Sequence, residues 1–144
     1  MTDLNRKKTE ARVRAAVRDF SKARNADPKK SVLIGGAAMY MHGLRDDLND
    51  IDFHNSDLTD FEKTVHRGFE LDAGPGSHLP GRAGESTKIR GVRVQTLEGL
   101  LDFYQDMNRP KDQPRIARLK EILKVGSGID HDMLRFFGDE LLKQ

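Results

Sequence analysis

The chain contains no cysteine and no tryptophan, and its aromatics are two tyrosines and seven phenylalanines. Without thiols, disulfides, iron–sulfur clusters and thiolate zinc sites are excluded. No apolar run approaches the ~20 residues needed to cross a bilayer. The start, MTDLNRKKTE, carries no signal-like apolar stretch, so the expectation is a protein of the reducing cytoplasm with no membrane partner. What is present is charge: 33% Asp, Glu, Lys and Arg against 36% hydrophobic residues, a composition that suits a soluble globular domain. At 144 residues the expectation is one domain, large enough for a real core but too small for two.

The net charge of +2 hides a strong segregation. Residues 1–30 carry ten Lys/Arg against four acids, whereas residues 45–72 carry nine acids against three basic residues. Residues 82–124 swing back, with ten basic against six acidic. An acidic middle between basic flanks suits a metal centre with cationic walls and a polyanionic substrate; uneven surface charge is the plainer alternative.

Hydrophobic periodicity divides the chain into a basic N-terminal helix (1–30), a sheet region (31–95) and C-terminal helices (96–144). Val13, Ala16, Val17 and Phe20 form one apolar stripe of a helix over 4–24, ended by Asp27-Pro28. SVLIGG reads as a buried strand and AAMYMHG as a short helix that stops near Gly43. NDIDFH alternates as a strand, with Ile51 and Phe53 on one face and Asp50 and Asp52 on the other. Thr59 is expected to cap a helix through Arg67, with Phe61, Val65 and Leu58 on its buried side. FELDA (69–73) is a third strand, and Ala73 to Ser86 a long Gly- and Pro-rich loop carrying His78 and Arg82. KIRGVRVQ is a fourth strand with a bulge at Gly91. Thr96 caps a helix using Leu97, Leu100, Leu101 and Tyr104, followed by a helix with Ile116, Leu119 and Leu123 ending at Gly126. A last helix, capped by Asp130, uses Met133, Phe137 and Leu141.

Two stretches carry chemistry. Carboxylates at positions i and i+2 of a strand project side by side, their Cα atoms roughly 6.5–7 Å apart, close enough for both to bind one Mg²⁺ or a pair of ions. Unpaired they repel, and a divalent cation relieves this. At the strand-to-helix junction, Gly35 and Gly36 lack Cβ atoms, so a phosphate can approach the backbone at a helix start. One half of the segment from Leu33 to His54 would thus hold metal and the other a triphosphate. His54 shares the carboxylate face by alternation, though a lone histidine is more often a polar packing partner. Arg45 either steadies phosphates or neutralises Asp46 and Asp47. Asp130-His131-Asp132 reads as a helix cap. The basic face Arg12, Arg14, Arg18 and Lys22 either grips nucleic-acid phosphate or is an ordinary solvated face.

Gly35-Gly36, a spacer of about a dozen residues, then Asp50-x-Asp52 between apolar residues resembles the DNA polymerase beta-like nucleotidyltransferase superfamily. GLRDDLNDID, with Arg45 in place, is similar to the approach to this motif in small bacterial members. VRVQTLEGLLDFYQDMNRPKDQPRIARL looks like the strand, helix and Arg-x-Lys-Asp helix that close stand-alone members, so the resemblance covers roughly residues 31–124. It implies an α/β fold with a small mixed sheet and flanking helices. It also implies transfer of a nucleoside monophosphate from an NTP, such as ATP, to an acceptor hydroxyl, with Mg²⁺ or Mn²⁺ held by Asp50 and Asp52. A third carboxylate, Asp72 or alternatively Glu70, would assist as base; Gly35, Gly36, Arg45 and Lys111 would lie near the nucleotide. Relatives modify RNA 3′ ends, protein hydroxyls or aminoglycoside and lincosamide antibiotics, and some serve as toxins in toxin–antitoxin pairs. The cationic flanks favour an RNA or protein acceptor. The sequence departs from the pattern at Ala37 (often serine), Leu48 (often threonine) and Arg115 (often an acid). These departures keep a second class open: a non-catalytic module that binds nucleotide, nucleic acid or a partner protein.

Overall fold

The structure is a computed structural model and describes residues 3–76, 79 and 81–127. Its elements are α1 (Asp3–Ala23), β1 (Ser31–Ile34), α2 (Gly35–Met41), β2 (Asp50–Asn55), β3 (Glu62–His66), β4 (Phe69–Pro75), β5 (Ser86–Ile89), β6 (Val92–Gln95), α3 (Leu97–Met107) and α4 (Gln113–Ser127), with short 3₁₀ turns between some of them. Six strands form one mixed sheet in the order β3-β4-β2-β1-β6-β5. The α/β class with flanking helices expected from the sequence is therefore present.

The centre of the sheet follows from apolar alternation. β1 is buried along its whole length and pairs antiparallel with β2, placing Leu33 beside Phe53 and Ile34 beside Asp52. β2 runs parallel to β4, with Ile51 beside Leu71 and Asp52 beside Asp72. Ile51, Phe53, Phe69 and Leu71 are all at most 2% exposed. The stripe of α1 packs onto this apolar face, Phe20 meeting Phe53 edge to face at 5.4 Å between ring centroids. The carboxylates Asp50 and Asp52 consequently face away from α1, toward the side where α3 lies.

Two expectations are corrected. Residues 59–67 are not a helix: Glu62–His66 form the edge strand β3, turned back onto β4 through Arg67 and Gly68, both at positive φ. Leu58 is buried, but Phe61 and Val65 are exposed, so the buried helical side does not exist. The second correction concerns KIRGVRVQ, which is not one bulged strand. Arg90 and Gly91, at φ 48° and 80°, make the tight turn of a β5–β6 hairpin. The remaining elements agree within a few residues: Thr96 caps α3 by accepting from the Gly99 N–H at 3.0 Å, and Ile116 and Leu119 are buried on α4. The loop after FELDA is shorter than expected, because β4 continues to Pro75 and a 3₁₀ turn occupies Gly81–Gly84. The expected last helix, the Asp130-His131-Asp132 cluster and His78 lie outside the described residues.

Candidate functional site

A cleft of about 460 Å³ opens where the ends of β1, β2 and β4 meet α3 and the start of α4. Asp50, Asp52 and Asp72 line it, as do Gly35, Gly36, Arg45 and Lys111, so these seven of the residues singled out from the sequence come together. Asp52 is partly buried, whereas Asp50 is exposed. Burial, then the negative charges of Asp72 and Asp50, push the Asp52 carboxyl up to about 6 from an ordinary 3.8. Lys63 and Arg109 oppose that rise. Asp72 sits directly across from Asp52 on the neighbouring strand, and Glu70 stands in the same relation to Asp50. Asp72 lines the main cleft; Glu70 lines a second cleft of about 400 Å³ over β3 and β4, which shares all three aspartates with the first. Between the two candidates for third carboxylate, position favours Asp72. Lys63 approaches Asp72 Oδ2 at 3.8 Å from an exposed position.

The junction of β1 and α2 is built around the lack of a side chain. Gly35 adopts φ 56°, and a Cβ there would lie 3.4 Å from Asp52 Oδ2 and 3.5 Å from the Phe103 ring. A Cβ on Gly36 would come within 2.7 Å of Arg45 Nη1. The Gly35 N–H, however, is not a spare phosphate donor: it donates to Gln95 Oε1 at 3.0 Å. Gln95 is fully buried at the end of β6, and its Nε2 donates to the Ala83 carbonyl at 2.8 Å. The N–H groups after Gly35, in the first turn of α2, have no intrahelical acceptor.

Facing the carboxylates is a cationic wall of Arg45, Arg109, Lys111 and Arg115. Arg45 also reaches Asp47 with Nε at 3.3 Å, the neutralising contact expected for it, whereas Asp46 lies 3.8 Å from Arg6. Asp112 does not line the cleft; it is completely buried and accepts hydrogen bonds from Arg109 and Arg115. These guanidiniums hold its carboxyl below the usual range, Arg109 foremost. Phe61, Phe103, Tyr104 and Met107 supply apolar surface in the same cleft. Burial raises the Tyr104 hydroxyl above its ordinary pKa of 10.0.

Other singled-out residues lie elsewhere. His54 is buried beside Gly76 and does not line the cleft. Arg82 forms a two-pronged pair with Asp102 at 2.7 and 2.8 Å, tying the Gly81–Gly84 turn to α3. On α1, Arg12 donates to the Arg67 carbonyl and covers the Phe69 ring, and Arg18 bonds Asp19. Of the four residues on the supposed nucleic-acid face, Arg12 is thus committed to the fold, whereas Arg18 pairs with its chain neighbour and stays half exposed. Sequence reasoning missed Gln95, whose only signal is a polar side chain closing an alternating strand. It also missed Arg109 as a cleft residue, because arginines flanking a proline read as surface.

The chemistry of the donor set fits a divalent cation: oxygen ligands without sulfur, adjacent on one face, and a half-buried carboxylate whose ionisation needs a compensating charge. Among the described residues, no group of three or more His, Asp or Glu side chains is placed to hold a metal ion. Magnesium is commonly held by one or two carboxylates with phosphate oxygens and water completing its shell. No family model, curated protein or solved structure matches the chain.

Proposed function

We propose that the chain is a metal-dependent nucleotidyltransferase that moves a nucleoside monophosphate from an NTP to an acceptor hydroxyl, releasing pyrophosphate. The observation that carries this reading is the position of Asp52: half-buried between Asp50 and Asp72, against a glycine junction, and opposite a cationic wall in one cleft. Asp50 and Asp52 would hold Mg²⁺ or Mn²⁺, which when bound neutralises phosphate charge and polarises the phosphorus under attack. Arg45, Lys111 and the first turn of α2 orient the triphosphate. Asp72, where the two clefts meet, takes the proton from the acceptor hydroxyl as its oxygen bonds to the α-phosphorus and the bond to the β-phosphate bridging oxygen breaks. The second cleft supplies the approach for an acceptor on RNA or protein.

A binding-only reading has one observation in its favour: the Gly35 N–H is already committed to Gln95. Calorimetry with NTP and Mg²⁺, on wild type and Asp50→Ala, tests whether nucleotide binds here through the carboxylates. Incubation with each labelled NTP and a whole-cell lysate, followed by separation of RNA, protein and small molecules, tests transfer. Label in any acceptor fraction, abolished in Asp52→Asn, supports the transferase. Nucleotide binding without transfer leaves a binding module, and no binding removes both readings.

A further inference from the structure

We propose that Arg109 and Arg115, locked in place by the buried carboxylate of Asp112, form a polyphosphate-binding clamp on the wall opposite Asp52. This rests on the nucleotide-binding reading of the cleft and names which side chains recognise the charged part of the ligand.

The geometry is that of two guanidiniums sharing one anchor. Asp112 is fully buried, and Arg109 grips it with Nε at 2.7 Å and Nη2 at 2.9 Å. Arg115 reaches the same carboxylate with Nη1 at 3.2 Å, and the Arg109 backbone N–H adds a fourth bond at 3.2 Å. A guanidinium has five N–H donors, so each arginine keeps donors beyond those spent on Asp112. Both side chains remain partly exposed, at 41% and 34%, and both line the cleft. One carboxylate cannot neutralise two guanidiniums, and Lys111 between them adds another charge that no described residue pairs. The excess is positive and lines the same cleft as the three aspartates, with Arg109 acting on Asp52 through its charge.

A ligand that suits such a cleft is strongly anionic along its length and bridged to the aspartates by a cation. A chain of phosphates meets both demands, whereas a monocarboxylate meets only the first in part. Planar forks recognise phosphate oxygens in pairs. A lone flexible arginine would lose side-chain entropy on binding; Asp112 removes much of that cost beforehand. Asp112 is accordingly a positioning residue, and Arg109 and Arg115 make the contact.

The test is titration calorimetry of the full chain with inorganic tripolyphosphate and Mg²⁺, which removes base and sugar from the question. Wild type is expected to bind, with at least tenfold loss in Arg109→Gln and in Arg115→Gln while thermal melts remain cooperative. Arg115→Lys keeps the charge but not the fork and should recover only part of the loss. Asp112→Asn should raise the KM for nucleotide far more than it lowers kcat, a split that mere loosening of α4 would not produce. Unchanged tripolyphosphate affinity in both arginine variants, or no binding to wild type, overturns the clamp. The outcomes separate from the transferase reading. Arginine-dependent tripolyphosphate binding without transfer to any acceptor leaves the clamp standing and removes the enzyme; transfer with unaltered KM in both variants does the reverse.

Discussion

Asp52 combines two unfavourable circumstances, partial burial and two acidic neighbours, and its raised pKa is the measure of both. A carboxyl that titrates near 6 when folded and near 3.8 when unfolded binds more protons in the folded state between those values. Stability of the metal-free protein should therefore be greatest below pH 3.8 as far as this group is concerned. It should fall as pH rises to about 6 and stay lower above that. Asp52→Asn removes the charge with almost no change in volume. It should raise metal-free stability at pH 7 by on the order of 2 kcal/mol, after allowance for partial solvent exposure. Urea melts of both proteins at pH 4.5 and 7 check this, and a gain of equal size at both pH values would contradict it. The same substitution should abolish transfer and weaken Mg²⁺-dependent nucleotide binding. A second residue-scale expectation concerns Glu10, only 4% exposed and gripped by Arg90 at 2.6 to 3.0 Å. Arg90→Ala leaves that carboxylate buried without its cation and should cost about 3 kcal/mol in urea unfolding.

At the level of elements, the apolar alternation that marks β1, β2 and β4 was legible because each buries at least one face. β3 was not, and the reason is its place at the sheet edge. On a strand, Phe61 and Val65 would share a face with the charged Lys63, and both apolar residues are exposed, so no alternation marks β3 as a strand. With Leu58 added, the spacing of the three apolar residues matches a helical face. The two hairpins escaped detection for a related reason. Their turns use Arg67-Gly68 and Arg90-Gly91, where an arginine occupies the first positive-φ position that usually signals itself by Asn, Asp or Gly. The site fared better, since Asp50, Asp52, Asp72 and the glycine pair lie on well-marked elements. Gln95 and Arg109 did not announce themselves, because their roles depend on partners remote in sequence. The glycine pair also allows an element-scale prediction. A methyl group at Gly36 would displace the Arg45 side chain, a flexible neighbour, at little cost to stability. Gly36→Ala should melt close to wild type yet bind nucleotide several-fold more weakly in calorimetry. Gly35→Ala, at φ 56° and against Asp52, should lose about 1 kcal/mol or more as well.

Across the whole molecule, charge is sorted by surface: acids along β2 and β4, cations across the cleft, and further cations on α1. Arg12 already serves the fold and Arg18 is paired with Asp19, so an RNA acceptor could draw on Arg14 and Lys22 from that helix. Replacing those two by Ala should reduce the slope of log affinity against log salt by about 1.4 in total for single-stranded RNA, at about 0.7 per contact. An unchanged slope would remove α1 from any RNA contact. The strand order carries one more consequence. β4 is inserted between β2 and β3, although β3 precedes it in the chain. The β3–β4 hairpin closes over two residues, whereas β2 and β4 must meet across the whole of β3. Local closure is fast and distant closure slow. In pulse-labelled refolding, backbone amides shared by β3 and β4 should gain protection before those shared by β2 and β4. Asp52 and Asp72 become neighbours only at that second event, so their mutual repulsion opposes a late docking step and leaves hairpin formation untouched. Refolding at pH values that neutralise Asp52 should then be faster in the docking phase alone.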